Sequence, residues 1–409
     1  MKILQINKFF YLMGGGERYF FEVSKLLKNH GHEVIFFSMK NKKNNFSEYE
    51  KYFVDYLDFT KIKLSFSNFQ PAGRAFYSLE ARKKINKLIK ETKPDVAHIH
   101  NIDHQISPSI LHVLKKHKIP VVMTLHHYKL ICPNYYLFNN RVCEKCKKYK
   151  YYNCILNKCI KNSYLASLLV CLEMYFHKAL KIYKKNVDIF ISPSQFMKDK
   201  CVEFGIDAKK IIVLPHFVNS ELGIRNQELG IRDQKYILYF GRLAKEKGVD
   251  ILLEAMKHIK HQVRLKIVGD GPEKNNYQLS IINYQLNNVD FLGHLEGRGL
   301  EKVITEAMFI VVPSIGNEVF GLVILESFAL GKPVIASKIG GIPEVINDHK
   351  TGLLFNPGDA KDLAQKINWL IERPEKIKKM GQAGFIAAQT KFSAEMHYKK
   401  LMEIYHNFI

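Results

Sequence analysis

In residues Tyr236–Leu243, YILYFGRL, five apolar or aromatic residues run into a glycine and an arginine. Such a run is typical of a β-strand that opens into a loop at its end. Four similar runs follow, separated by helical stretches: Leu265–Gly269, Val289–Leu295, Phe309–Ser314 and Pro333–Ser337. The alternation predicts an α/β domain built on a parallel sheet.

The same alternation occupies the N-terminal half of the chain. Its strand-like runs are Lys2–Asn7, His32–Met39, Asp95–Asn101, Pro120–His127 and Val187–Ser194. Between the two series, ELGIRNQ at Glu221–Gln227 is followed by ELGIRDQ at Glu228–Gln234, and we interpret this polar repeat as a linker insertion. A chain of 409 residues with 47% hydrophobic composition exceeds most single domains, so we predict two α/β domains.

The formal net charge of +23 favours an anionic partner, which can be a membrane surface, a nucleic acid or a phosphorylated substrate. The charge does not choose among them. Residues Met1–Phe10 lack the apolar core of a signal peptide. The longest apolar run, Tyr164–Leu172, is far shorter than the roughly 20 residues that span a bilayer. We therefore expect a cytoplasmic protein without a transmembrane helix.

Three glycines, Gly14 to Gly16, follow the first predicted strand and precede a helix. Backbone amides at a helix start can hold an anion. A dinucleotide fingerprint would need a glycine at position 19, where this chain has Tyr19, so a nicotinamide enzyme is disfavoured. An anion site and a plain structural turn both remain open.

Two cations, Arg242 and Lys247, follow the strand-like run at Tyr236–Leu243. Ligands of open α/β sheets bind at strand ends, where two such cations can converge on a diphosphate. The alternative is a pair of solvated surface cations.

Two carboxylates, Glu318 and Glu326, bound the block EVFGLVILE. If Gly321 begins a helix, Glu318 lies in the preceding loop and Glu326 on the helix, and both can face one cleft. Carboxylates there accept hydrogen bonds from sugar and ribose hydroxyls, while the first amides of the helix meet phosphate. A carboxylate pair in this setting therefore indicates a binding site more than surface charge.

Together with Gly-Gly-x-Pro-Glu at Gly340–Glu344, these blocks resemble in order and spacing the retaining GT-B glycosyltransferases of family 4, the glycosyl transferases group 1. The resemblance covers nearly the whole chain and implies two Rossmann-like domains facing an interdomain cleft. Residues 1–216 would form the acceptor-side domain and residues 217–393 the donor-binding domain. We expect a C-terminal helix at about 394–409 to pack back on the first domain. No metal would be required for catalysis.

The resemblance also implies a role for each block. Arg242 and Lys247 would clamp the donor diphosphate, and Glu318 would act on the transferred sugar as a catalytic residue. The segment TLHHY at Thr124–Tyr128 is similar to the family's Thr-Leu-His-Asp-Tyr, so His126 would be the catalytic histidine, with a histidine replacing the acid that follows it. The remaining donor-binding residues would be Gly14, Gly15, Phe320, Gly321, Leu322, Val323 and, at the ribose, Glu326.

The function implied is transfer of a sugar from a UDP- or GDP-sugar to a glycan or lipid-linked acceptor in polysaccharide biosynthesis. The anomeric configuration would be retained by front-face attack, since the sequence offers no convincing nucleophile. A sugar-nucleotide epimerase on the same fold is an alternative class. A basic zinc-knuckle nucleic-acid binder is another, but it leaves the second domain unexplained, so we expect no nucleic-acid partner.

Five of the seven cysteines fall in one segment, residues 132–159, which we regard as an insertion in the first domain. Cys143 and Cys146 have the spacing of a zinc knuckle, and Cys154 and Cys159 can complete four thiolate ligands of a structural zinc ion. Only seven residues separate the two pairs, which is short for such a site. Free thiols and disulfides remain open alternatives.

A helix predicted over Asn162–Lys185 would place apolar residues near one face and lysines beside it. Such a helix can lie in a bilayer interface, so we expect peripheral association with the inner face of the cell membrane. The alternative is that this face packs on the sheet. The apolar residues are Leu165, Leu168, Leu169, Leu172, Tyr175, Phe176, Ala179, Ile182 and Tyr183, and the lysines are Lys178, Lys181, Lys184 and Lys185.

Overall fold

The structure, a computed structural model, describes residues 1–57, 69–219 and 236–408, so the tandem repeat Glu221–Gln234 lies outside the described residues. The chain divides into two compact units. The first comprises Met1–Leu137, Cys143–Leu214 and Tyr398–Ile409, and the second comprises Phe138–Val142 and Pro215–His397. The predicted boundary between residues 216 and 217 lies two residues further along the chain.

The first unit contains a six-stranded parallel sheet whose strands are almost entirely buried, as expected when helices cover both faces. Its strands are β1 (Lys2–Ile6), β2 (Glu33–Phe37), β3 (Val96–Ile99), β4 (Val121–Thr124), β5 (Ile189–Ser192) and β6 (Ile211–Val213). The helices are α1 (Gly15–Asn29), α2 (Phe69–Phe76), α3 (Leu79–Thr92), α4 (Ile110–Lys116), α5 (Tyr152–Leu156), α6 (Tyr164–Ala179), α7 (Ile182–Asn186) and α8 (Gln195–Glu203).

The second unit contains another six-stranded parallel sheet, with hydrophobic clusters that include residues from both faces of its strands. Its strands are β7 (Tyr236–Phe240), β8 (Arg264–Val268), β9 (Val289–Gly293), β10 (Ile310–Val312), β11 (Val334–Ser337) and β12 (Gly352–Phe355). The helices that follow along the chain are α9 (Val249–Met256), α10 (Lys274–Asn283), α11 (Gly297–Glu306), α12 (Leu322–Ala329), α13 (Ile342–Val345), α14 (Ala360–Ile371), α15 (Pro374–Gln389) and α16 (Ala394–His406).

Each sheet has one point where the strand order changes direction. The first sheet runs β2-β1-β3-β4-β5-β6, so the order turns beside β1, and the second runs β12-β11-β10-β7-β8-β9, so it turns between β7 and β10. In doubly wound sheets the loops at such a switch point diverge and leave a crevice for ligands. The fold therefore directs attention to the loops after β1 and β3 and to those after β7 and β10.

The last turns of α16 belong to the first unit. Tyr398 stacks on His30 with ring centroids 3.6 Å apart, and its hydroxyl lies 2.9 Å from Nε2 of His32. Tyr405, fully buried, places its hydroxyl 2.6 Å from Nδ1 of His98 on β3. The end of the chain thus packs against the first sheet.

The segment predicted as one helix over Asn162–Lys185 is two helices, α6 and α7. The break occurs at Leu180 and Lys181, where Lys181 adopts a left-handed φ of 53°. Among the described helices, none combines the length and apolar character that crossing a bilayer requires.

The exposed side of α6 is apolar and its buried side is partly polar. Leu165, Leu168 and Leu172 are 47%, 38% and 47% exposed. Glu173 is buried and accepts from Lys129 at 3.0 Å, an ion pair that offsets the desolvation of both charges. The predicted apolar stripe is therefore split, since these leucines face outward whereas Ile182 is buried.

Candidate active site

The loop after β7 carries Arg242 and Lys247 on a tight turn. Gly248 closes the turn at φ 64°, and a Cβ there would lie 2.1 Å from the Pro313 carbonyl oxygen. Only glycine fits both the left-handed backbone and this close approach. The loop is thereby held against the segment that follows β10.

Backbone hydrogen bonds join the loops after β7 and β10. The carbonyl oxygen of Glu246 accepts from the amides of Ile315 and Gly316, at 3.0 and 2.9 Å. A Cβ at Gly316 would lie 2.8 Å from the Glu246 Cβ, so a larger residue would separate the two loops. Their side chains consequently converge at the switch point of the second sheet.

Lys247 and Glu318 form an ion pair at this point. Nζ of Lys247 lies 2.6 Å from Oε1 of Glu318, and the Ser314 hydroxyl donates to the same oxygen at 2.6 Å. Burial works to raise the pKa of Glu318, but the Lys247 charge and the hydrogen bonds from Lys247 and Ser314 outweigh it, so the pKa is lowered. Glu318 is therefore an ionised acceptor, well suited to hydroxyl groups.

Arg242 lies on the same turn but is more accessible, with 49% of its side chain exposed. Its guanidinium is 3.3 Å from Oε1 of Glu246, and its carbonyl oxygen accepts from the hydroxyl of Tyr239 at 2.8 Å. The backbone is thus anchored, while the guanidinium is held by a partly exposed pair that is weak in water. An anion of higher charge can displace that contact.

Gly321, with φ 98°, immediately precedes the first residue of α12. Glu318 therefore lies in the loop before the helix, and Glu326 lies on the helix. Leu322 and Val323 supply the first amides of α12. The side chain of Phe320 packs in the core of the second unit, and the residue is only 3% exposed. Its main chain is therefore the part that could contact a ligand. Glu326 is partly buried.

Glycines of the Gly340–Glu344 block contact the main chain of Glu318. The Gly341 amide donates to the Glu318 carbonyl oxygen at 2.8 Å. Gly340 has φ 59°, and a Cβ there would lie 2.3 Å from the same oxygen. Sequence reasoning treated this block only as part of a family pattern and missed Ser314 altogether. The sequence signal that could have identified Ser314 is its position just after a strand and four residues before Glu318.

In the first unit, the glycine cluster and His126 meet beside the switch point at β1. A Cβ at Gly16 would lie 3.0 Å from Asn101 Nδ2 and 3.4 Å from His126 Cγ, whereas one at Gly14 would meet nothing closer than 3.8 Å. Gly16 is therefore the glycine of this cluster with the least room for a side chain. We had not singled it out as a binding residue. Gly15 is the first residue of α1.

A chain of hydrogen bonds fixes the orientation of His126. The Gln5 side-chain oxygen accepts from His100 Nε2 at 2.7 Å, so neutral His100 has its lone pair on Nδ1. That nitrogen lies 3.0 Å from Nε2 of His126 and accepts a hydrogen bond from its N–H. Burial, with a smaller effect of the His127 charge, lowers the pKa of His126 to about 3. His126 is thus a neutral imidazole near pH 7.

Asp103, which follows β3, pairs with His127. Nε2 of His127 lies 2.9 Å from the Asp103 carboxylate, and its Nδ1 accepts from the Lys129 amide at 3.2 Å. Burial would raise the pKa of Asp103, but the His127 charge and its hydrogen bond hold it well below its usual range. A buried carboxylate from the end of β3 thus lies beside His127, which follows β4.

Comparisons with known proteins show the family of this chain. A family model described as Glycosyltransferase Family 4 matches residues 13–222, and one described as Glycosyl transferases group 1 matches residues 224–386. An uncharacterized glycosyltransferase of Methanocaldococcus jannaschii is 31% identical over 53% of this chain. The match spans 57% of that relative's own length.

Two solved structures share the fold along nearly the whole chain. Alr3699/HepE of Anabaena, in complex with UDP, matches with a TM-score of 0.69 and 20% identity over 100% of both chains. WaaG, a glycosyltransferase involved in lipopolysaccharide biosynthesis, matches with a TM-score of 0.65 and 17% identity over 97% of this chain and 98% of its own.

Proposed function

Because this chain belongs to the GT-B glycosyltransferases of group 1, we propose that it transfers a sugar from a nucleotide-sugar donor to a non-nucleotide acceptor. The observation that carries the proposal is the convergence of Lys247, Ser314 and Glu318 at the switch point of the second sheet. The groups at this end of the sheet are a lysine, a carboxylate and the first amides of a helix. Together they suit a ligand that has both phosphate and hydroxyl groups.

Arg242 and Lys247 bind the donor diphosphate in this proposal, assisted by the amides of Leu322 and Val323. Both cations are held by carboxylates in the described structure, so donor binding exchanges carboxylate partners for phosphate. Glu318, released in part from Lys247, accepts hydrogen bonds from the transferred sugar, and Glu326 accepts them from the ribose. The UDP complex of the Anabaena relative supports a UDP-sugar, and a GDP-sugar is the alternative donor.

The transfer retains the anomeric configuration and needs no metal. The acceptor oxygen bonds to the anomeric carbon on the face from which the diphosphate leaves, and the acceptor proton passes to a departing phosphate oxygen. Arg242 and Lys247 stabilise the charge that develops on the leaving group. His126 is catalytic as a neutral hydrogen-bonding group, because its low pKa argues against an imidazolium near pH 7.

The acceptor is a glycan or lipid-linked precursor of a polysaccharide, reached from the cytoplasmic side of the membrane. The exposed leucines of α6 support this, since Leu165, Leu168 and Leu172 follow one another at helical spacing. Lys178, Lys181, Lys184 and Lys185 are exposed around the end of the helix. An apolar stripe flanked by cations matches an anionic lipid surface.

A thermal-shift panel of UDP, GDP and ADP, each with and without an attached sugar, tests the donor assignment. A nucleotide that binds only the folded chain raises the melting temperature of the chain. The increase grows with the ratio of the free nucleotide concentration to Kd. We expect one nucleotide and its sugars to stand out. The matching donor is then incubated with lipid-linked glycan acceptors, and the product anomer is read by NMR. No shift with any of the nucleotides, or a product of inverted configuration, would contradict the proposal.

A further inference from the structure

Five cysteines of the segment after His126 line one small cavity in the first unit. The cavity is bordered by Cys132, Cys143, Cys146, Cys154 and Cys159, together with Pro133, Asn134, Lys145 and Asn153. Cys132 is buried, and its thiol donates to Asn134 Oδ1 at 2.9 Å. The other four cysteines remain to be explained.

Two local turns bring these four cysteines together in pairs. Cys143 and Cys146 lie in a loop where the Cys143 amide donates to the Leu137 carbonyl oxygen at 2.8 Å. Cys154 belongs to α5, and the Cys159 amide donates back to its carbonyl oxygen at 3.0 Å. The thiols of Cys154 and Cys159 are hydrogen-bonded to each other. A tetrahedral thiolate zinc site likewise needs neighbouring sulfurs close together, because each Zn–S bond is about 2.3 Å.

The backbone of this segment is unusually strained for a part of a folded chain. Left-handed φ angles at non-glycine residues cost about 1 kcal/mol or more each. They occur at Tyr135, Leu137, Asn140, Lys148, Tyr149, Lys158, Lys161 and Asn162. Between residues 139 and 162 the described regular structure is limited to a three-residue turn and the five-residue α5. A bound metal ion is one way to fix such an irregular segment.

The cations of this segment suit an anionic zinc–thiolate site. From Arg141 to Lys161 the chain has seven cations and one acid, Glu144. A zinc ion with four thiolates carries a net charge of −2, which nearby cations stabilise. Lys145 borders the cavity itself and donates to Asn157 Oδ1 at 2.9 Å.

We propose that Cys143, Cys146, Cys154 and Cys159 bind one structural zinc ion. Binding releases four thiol protons to solvent and forms four Zn–S bonds, without a change of oxidation state. Within residues 1–57, 69–219 and 236–408, no three His, Cys, Asp or Glu side chains already enclose a point suited to a metal ion, so the four thiols rotate inward on binding. The ion clamps the segment that follows β4 and His126.

Metal analysis of the full chain, purified without chelators under reducing conditions, tests the proposal directly. We expect about one zinc per chain, and we expect Co²⁺ in its place to give the absorption of a tetrahedral thiolate complex. Less than about one tenth of an equivalent of zinc would overturn the proposal. So would an iron–sulfur chromophore, or a disulfide among these four cysteines found by mass spectrometry.

Substitutions identify the ligands. Replacing any of the four cysteines by serine should lower the zinc content at least fivefold, whereas Cys132→Ser and Cys201→Ser should retain it. Cys201 is a matched control because it is buried on α8, away from the cavity. Zinc retained by all four ligand variants, or lost from both controls, would overturn the assignment.

Thiol alkylation of the wild-type chain gives an answer even where a variant does not fold. Alkylation before and after zinc removal should reveal four newly reactive cysteines, identified by peptide mapping as Cys143, Cys146, Cys154 and Cys159. An unchanged alkylation pattern would contradict the site. This measurement does not depend on transferase activity, so it separates the zinc proposal from the proposed function.

Discussion

Nζ of Lys247 lies 2.6 Å from Oε1 of Glu318, although the sequence led us to assign the two residues to different parts of a donor. Both groups are partly shielded from solvent, with 30% and 14% of their side chains exposed. Removing one partner therefore leaves the other without its neutralising charge. In the proposed function, the pair links phosphate binding by Lys247 to the orientation of the Glu318 carboxylate.

We predict that Lys247→Ala and Glu318→Ala each reduce transfer by about 10²–10⁴-fold, the range for loss of a group that stabilises developing charge. The double variant should lose less than the product of the two single losses, because the residues act as a pair. Steady-state kinetics with the donor found by thermal shift measures this. Lys245→Ala, on the same turn, is the control and should keep its rate. Near-normal turnover of either single variant would remove the assigned role.

We predict that Glu326→Gln weakens donor binding more than it slows transfer. Glutamine keeps the size of the side chain but loses the charge that strengthens hydrogen bonds from ribose hydroxyls. Donor affinity and kcat are measured separately, with Glu375→Gln as a surface control on α15. An unchanged donor affinity would rule out the ribose contact.

We predict that stability falls as the pH drops from about 6.5 towards 3, and that His126→Asn makes this fall shallower. The His126 pKa is lowered to about 3 in the folded chain, so between these values the unfolded chain binds the extra proton. Above about pH 6.5 His126 is neutral in both the folded and the unfolded chain, and no stability is lost. Below that pH, proton binding by the unfolded chain shifts the unfolding equilibrium by at most about tenfold per pH unit. Urea midpoints at several pH values measure it. His406→Asn, exposed on α16, serves as the control, and a slope unchanged by His126→Asn would show that His126 titrates normally.

We predict that the wild-type chain floats with anionic liposomes at low salt. Replacing Leu165, Leu168 and Leu172 together by serine should abolish flotation, since it removes the exposed apolar stripe of α6. Glutamate at Lys181, Lys184 and Lys185 should weaken binding, as each lysine near the surface contributes about 1 kcal/mol.

The matched control for flotation replaces Leu279 and Ile282, exposed apolar residues of α10 in the second unit. That variant should float like wild type. If wild type stays at the bottom of the gradient, or if both sets of substitutions act alike, the α6 surface does not bind membranes and an acceptor in solution is favoured.

Local patterns in the sequence were sufficient to predict most of the fold. Ten of the twelve strands lie within the runs identified from apolar residues and turn signals, apart from a one-residue extension of β8 to Arg264. The two missed strands are β6 and β12, of three and four residues. Their length alone does not explain this, because β10 has three residues and β11 four, and both were predicted. Both missed strands lie at an edge of their sheet, where pairing with a single neighbour defines them. The helix over Asn162–Lys185 was wrong in its extent because the break at Lys181 has no proline or glycine to mark it.

The sequence by itself determined the α/β class, the duplication of the sheet and the candidates Arg242, Lys247 and Glu318, because these follow from periodicity and from motifs of contiguous residues. His126 became a candidate only through the resemblance to a known family. The tertiary structure decided how they are partnered. Lys247 and Glu318 are 71 residues apart and meet only because β7 and β10 are neighbours in the second sheet. In the same way, His126 meets His100 because β3 and β4 lie side by side. Strand order is a property of the whole folded unit, and no local pattern specifies it.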